Sequence, residues 1–88
     1  MIINLEKEIG KDLIIRLDAE KLFEKLDGNS QKVVMDFSEI DFINRSFAQE
    51  YLNRKMVAAY EIEEINIPDV VKNMFNVIME WNGYDERY

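Results

Sequence analysis

Lys32-Val33-Val34-Met35-Asp36-Phe37 decides how the rest of the chain is read. Nearly continuous apolar residues over the length of a strand, without strict alternation, mark a buried central strand of an α/β sheet. Upstream of it, Ala19, Leu22, Phe23 and Leu26 recur at the spacing of one helix face. That spacing predicts a helix over 19–27, capped by Asp18, stopped by Gly28 and joined to the strand through Asp27-Gly28-Asn29-Ser30. Downstream, a loop over 38–44 tucks in Ile40, Phe42 and Ile43. Ser46-Phe47-Ala48-Gln49 then has the form of a capping box, which predicts a helix from Ser46 to about Ala59. Its inward residues are Ala48, Tyr51, Leu52, Met56 and Ala59, and Glu50 and Arg54 make an outward i,i+4 pair.

Further out, Glu61-Ile62-Glu63-Glu64-Ile65-Asn66-Ile67 reads as another β segment. Pro68 opens a last helix to Trp81, which Asn82-Gly83 closes. At the other end, Ile2-Ile3-Asn4-Leu5 and Leu13-Ile14-Ile15-Arg16-Leu17 flank Gly10-Lys11-Asp12. They read as two short strands in a hairpin, with a helix starting as early as Asp12 as the competing reading. Alternating strands and helices imply an α/β fold, a small mixed sheet of about four strands with helices packed on it. Residues 1–88 are expected to form one domain, in which 80–88 is a tail that is extended or binds a partner.

Composition narrows the chemistry. The chain has 88 residues and no Cys or His, which removes disulfides, thiolate nucleophiles, imidazole bases, and cysteine- or histidine-ligated metals. A formal net charge of −7 repels phosphate backbones, so nucleic acid is not an expected partner. No apolar run approaches the ~20 residues of a membrane span. Met1-Ile2-Ile3-Asn4-Leu5-Glu6 lacks the basic and apolar regions of a signal peptide, and the expectation is a cytoplasmic protein. No phosphate-binding glycine loop or nucleophile elbow occurs, so neither enzymatic activity nor a cofactor is expected.

Several groups of side chains are open to more than one reading. Asp36 and Asp41, at or beyond the C-terminal end of the central strand, serve turns in the simpler account. In the alternative they hold Mg²⁺ or a small ligand such as a nucleotide. Glu61, Glu63 and Glu64 fit a charged strand edge better than a cation site. Ser46 is either an N-cap or, at the positive end of a helix beside Arg45, a place for a phosphate. On the last helix Val71, Met74, Phe75 and Ile78 form one apolar stripe, while Val70, Val77, Met79 and Trp81 lie elsewhere on it. Trp81, Tyr84 and Tyr88 therefore make a partner or homodimer contact, or else fold back on the domain. Met35, Met56, Met74 and Met79 read as core fillers.

In residue order, Val33-Val34-Met35-Asp36-Phe37-Ser38-Glu39-Ile40-Asp41-Phe42-Ile43-Asn44-Arg45-Ser46-Phe47-Ala48-Gln49-Glu50 resembles the STAS and STAS-like domains, which include the anti-sigma factor antagonists. Those relatives share an apolar strand ending in Asp-Phe-Ser or a variant, a hydrophobic loop, and a Ser opening the next helix. The closer similarity is to the STAS-like family of unknown function, where that helix commonly begins Ser-Phe-Ala-Asp-Glu. Weaker similarity reaches Gly10 with Arg16, the first helix, Ile65-Asn66 and the helix after Pro68.

The resemblance implies an α/β fold and a non-enzymatic regulatory role. It also implies a protein partner such as a GHKL-type ATPase or anti-sigma factor, with Ser46 at the position of the phosphorylated Ser. Anti-sigma factor antagonists have Asp-Ser-Ser-Gly around that Ser, where this chain has Asn44, Arg45, Ser46 and Phe47. The docking surface expected on this basis comprises Ser38, Asp41, Asn44, Arg45, Phe47, Gln49 and Glu50.

Overall fold

In chain order the elements are β1 (Ile2–Asn4), α1 (Leu5–Glu8), β2 (Asp12–Leu13), α2 (Arg16–Leu26), β3 (Val33–Asp36), β4 (Phe42–Ile43), α3 (Arg45–Val57), β5 (Ile62–Ile65) and α4 (Asp69–Trp81). The structure is a computed structural model and describes residues 1–26, 28 and 31–88. β3 is the middle strand of a three-stranded sheet of order β1-β3-β5, and both of its pairings are parallel. β2 and β4 form a separate parallel pair. The α/β fold expected from the sequence is therefore present, but the sheet is not mixed.

The N-terminal hairpin does not form. Asn4 ends β1 and caps a helical turn, its Oδ1 accepting the Lys7 N–H at 3.0 Å, and this turn carries the chain away from β1 before a second strand can fold back. Gly10 closes that turn with its N–H on the Leu5 carbonyl. Of the run from Leu13 to Leu17 only Leu13 is buried, whereas Ile14, Ile15 and Leu17 are exposed and Arg16 already begins α2. α2 thus starts later than Asp12 and earlier than Ala19, and Asp18 sits in its first turn, where a carboxylate suits the helix dipole. The expected end of that helix at Asp27 and its connection through Asn29 and Ser30 lie outside the described residues.

Register explains which side of the sheet is dry. Ile3, Met35 and Glu64 form one row across the strands, and Ile2, Val34 and Glu63 form the next. On the first row's face Ile3, Val33 and Met35 are buried, while on the other Ile2 is exposed and Val34 and Asp36 are half-buried. The central strand is therefore fully covered on one face only. Against that face pack Ala19, Leu22, Phe23 and Leu26 of α2, Phe47, Ala48, Tyr51 and Leu52 of α3, and Val71, Phe75, Ile78 and Met79 of α4. At the centre of the core the Tyr51 ring meets Phe23 and Phe37 edge-on and stacks on Phe75 at 5.3 Å, geometries that add to the area these rings bury.

α2 packs on α3 and α3 on α4, which orders the three helices across the sheet. α4 ends in a Schellman motif: Gly83 takes φ +78°, its N–H reaches the Glu80 carbonyl, and the Tyr84 N–H reaches that of Met79. Two residues expected to face inward from this helix are exposed: Met56, in the last turn of α3, and Ala59, beyond its end at Val57. Phe42 is exposed as well, since the two-residue β4 turns only Ile43 inward. No helix among the described residues is long and apolar enough to cross a membrane.

Candidate functional site

The start of α3 is positioned from both sides. Upstream, β4 lies beside β2, with the Asp41 N–H on the Lys11 carbonyl at 2.8 Å and the Asn44 N–H on the Leu13 carbonyl at 3.0 Å. Downstream, Phe47 and Ala48 are buried, and the Phe47 ring stacks on Tyr51 at 6.4 Å. Between these anchors Asn44 is the N-cap: its backbone is extended and its Oδ1 accepts the Phe47 N–H at 2.9 Å. The expected capping box of Ser46 with Gln49 is thereby corrected. Arg45 is the first helical residue and Ser46 the second, because burying Phe47 and Ala48 sets the register and leaves Asn44 where a side-chain acceptor is needed.

Ser46 is exposed, and among the described residues its hydroxyl has no hydrogen-bond partner. It opens onto a cleft of about 280 Å³ lined by Arg16, Arg45, Ser46, Gln49, Glu50 and Asn53. Ser46, Gln49, Glu50 and Asn53 share one face of α3 at helical spacing, and Arg16 reaches over from the start of α2. Glu50 accepts from Arg54 Nε at 2.7 Å and lies 4.0 Å from Arg16 Nε, which is 3.8 Å from Glu20. Gln49 donates to Asn53 at 3.0 Å and accepts from Asn82 at 3.5 Å, tying the cleft to the end of α4. On the same side the Arg45 guanidinium lies 4.3 Å from the centre of the exposed Trp81 ring, a cation–π contact between the first residue of α3 and the last of α4.

Of the expected docking residues the cleft gathers Arg45, Gln49 and Glu50 around Ser46. Phe47 is withdrawn from the set, since it is fully buried and offers nothing to a partner. The Asn44 side chain is committed to its cap. Ser38 faces a different group, its N–H and hydroxyl donating to Asp36 Oδ1 at 2.9 and 2.6 Å, and Asn66, in the left-handed region at φ 55°, donates to the same oxygen at 3.1 Å. These donors, the Ser38 hydroxyl foremost, hold the Asp36 carboxyl below the usual carboxylate range. Asp36 therefore organises the turn after β3, and Asp41 lies exposed in the loop that follows. No group of three or more acidic side chains placed to hold a metal occurs among the described residues.

The three glutamates of the β5 segment do not act as a set. Glu61 and Glu63 pair with Lys32 at 3.4 and 2.7 Å on the open side of the sheet. Glu64 is turned inward, with its side chain 8% exposed, and accepts from the Tyr51 hydroxyl and Lys55 Nζ, each at 2.7 Å. Sequence reasoning missed Arg16, Asn53 and the Arg45–Trp81 contact. Asn53 was within reach of the 3.6-residue period counted from Ser46, whereas Arg16 and Trp81 arrive only through the packing of α2 and α4 on α3. Comparison with protein-family models, curated proteins and solved structures gave no match.

Proposed function

We propose that the protein is a non-enzymatic regulatory module of the STAS-like kind, acting through protein–protein contact at the start of α3 and switched by phosphorylation of Ser46. The observation that carries this reading is the state of the Ser46 hydroxyl: exposed, without a partner among the described residues, and relieved of capping by Asn44. A hydroxyl with no structural duty can be modified without dismantling the helix that presents it. A phosphate there would lie at the positive end of a 13-residue helix, beside Arg45 and across the cleft from Arg16, on a protein of net charge −7. It would add about −1.5 to −2 charge to the face offered to the partner, enough to turn an acidic partner away. The partner class that the STAS resemblance suggests is a GHKL-type ATPase acting as a kinase, or an anti-sigma factor, in the cytoplasm.

The test uses the protein with ATPase-type kinases encoded near it and with a partner isolated on the wild-type chain. Expected are a mass gain of one phosphate that Ser46→Ala abolishes, and weakened partner binding by Ser46→Asp. An unmodified Ser46 together with undiminished binding by Ser46→Asp removes the switch. Undiminished binding by Arg45→Ala and Gln49→Ala removes the docking surface.

A further inference from the structure

Residues 82–84 of the Schellman motif and 85–87 after it are exposed, and the chain re-enters the domain at Tyr88. The Tyr88 ring lies 4.8 Å from that of Phe75 and 5.1 Å from the Lys55 ammonium. Its hydroxyl accepts from Lys55 Nζ at 2.9 Å and donates to Glu64 Oε2 at 3.2 Å, and its backbone N–H donates to Asn76 Oδ1 at 2.6 Å. The receiving slot does not depend on Tyr88, because Lys55 and Glu64 already pair at 2.7 Å and Tyr51 holds the same carboxylate from beneath.

The rest of the tail fits poorly. Glu86, Arg87 and Tyr88 line a partly open hollow of about 400 Å³ together with Leu52, Lys55 and Met56 of α3 and Met79 of α4. The Arg87 guanidinium turns back on the tail's own carbonyls, those of Tyr84 and Glu86 at 2.9 and 2.8 Å. One tyrosine is seated, and two charged side chains lie beside a hollow they leave unfilled, against Leu52, Met56 and Met79. A partly open hollow of this size has room for a further side chain, and methionine walls adapt to many shapes.

We propose that this α3–α4 groove is a peptide-binding site for an extended segment of a partner protein that carries a tyrosine and a nearby apolar side chain, and that residues 84–88 occupy it in cis until displaced. Tyrosine is specified because its ring needs an aromatic and a cation, and its hydroxyl must both accept from Lys55 and donate to Glu64. Phenylalanine makes neither hydrogen bond, and a phosphotyrosine would meet the Glu64 carboxylate. The flanking apolar residue is specified by the walls of Leu52, Met56 and Met79. The groove uses the second half of α3 and is independent of Ser46.

The test is fluorescence anisotropy with a labelled peptide of sequence Asn-Gly-Tyr-Asp-Glu-Arg-Tyr, residues 82–88, titrated with the 88-residue chain. Tyr88→Ala is expected to bind it saturably. The wild type is expected to bind about tenfold more weakly, the reduction for a site its own tail fills about nine-tenths of the time. A peptide with Glu86→Leu binds severalfold tighter, and one with Tyr88→Ala does not bind. If Tyr88→Ala in the protein fails to fold by circular dichroism, Tyr88→Phe, which keeps the ring and loses both hydroxyl bonds, takes its place with the same expectations. A folded variant that shows no saturation, equal affinity for the Glu86→Leu peptide, or binding unaffected by Lys55→Ala overturns the proposal. So does concentration-dependent dimerisation of the wild type that Tyr88→Phe abolishes, which would assign the groove to a second copy of the chain.

Discussion

Replacing Asn44 by Ala separates the two residues that could cap α3. The substitution deletes Oδ1, which accepts the Phe47 N–H at 2.9 Å, but leaves the Asn44 backbone N–H on the Leu13 carbonyl, so only the cap is removed. Loss of an Asn cap to Ala costs about 1 kcal/mol within a span of about 0.5–2, and burial of Phe47 favours the upper half, since the orphaned N–H is partly screened from water. In a domain of this size each kcal/mol lowers the melting temperature by about 4–8 °C. Asn44→Asp keeps the acceptor and adds a charge that the helix dipole favours, so it should match the wild type or exceed it by a few tenths of a kcal/mol. Ser46→Ala removes a hydroxyl without a partner and should stay within about 0.5 kcal/mol of the wild type. Urea denaturation and thermal melts followed at the helical circular dichroism band measure all three. If Ser46→Ala costs about 1 kcal/mol or more and Asn44→Ala costs nothing, the cap is Ser46. Its hydroxyl would then carry the helix start and would not be free for modification.

Three further outcomes follow from the same contacts. Tyr51→Phe takes a buried donor from Glu64 Oε2 and should cost about 1.5–3 kcal/mol in urea denaturation; an unchanged midpoint would mean that the bond is not made. Phe47→Ala should cost about 3–5 kcal/mol, a large share of the stability of a small domain, so its melt would fall sharply; an unchanged melt with lost partner binding would return Phe47 to the surface. Asp36, whose folded value is depressed, contributes stability that is complete above the unfolded carboxylate value of about 4 and disappears as pH falls through the lower folded value. Wild type and Asp36→Asn should therefore differ most near neutral pH and converge in acid, and a constant gap across the titration would contradict the assigned donors.

Local signals were enough wherever one element's own periodicity decides its shape. The stripe of Ala19, Leu22, Phe23 and Leu26, the strand from Val33, the strand around Ile62–Ile65 and the helix after Pro68 are all in place. The misreadings fall where a distant segment arbitrates. Leu13 to Leu17 is apolar enough for a strand, but among the described residues it finds only β4, which pairs no further than Leu13, so α2 claims Arg16 onward and leaves Ile14 and Ile15 exposed. Asn44 and Ser46 can both cap, and only the burial of Phe47 and Ala48 against Tyr51 and the rest of the core chooses between them. In the β5 segment the alternation of the strand turns Glu64 inward and leaves Glu61 and Glu63 with Lys32, a distinction that a count of acidic residues hides. The candidate cleft was half legible. Ser46, Gln49 and Glu50 follow from one helix face, whereas Arg16 and Trp81 depend on how three helices are laid side by side.

The parallel order β1-β3-β5 also constrains how the chain can fold. Ile2 pairs with Val34 and Val33 with Ile62, so neither junction can close through a turn, and each must wait for the intervening segment to pack. Every strand pair among the described residues is parallel, so none of them zips locally through a turn. Its smallest sheet-forming unit is strand, helix and returning strand, and its folding speed is set by those long loop closures more than by helix formation. In amide exchange the backbone of β1, β3 and β5 should accordingly open as one unit, with β3 unable to lose either neighbour while remaining protected itself.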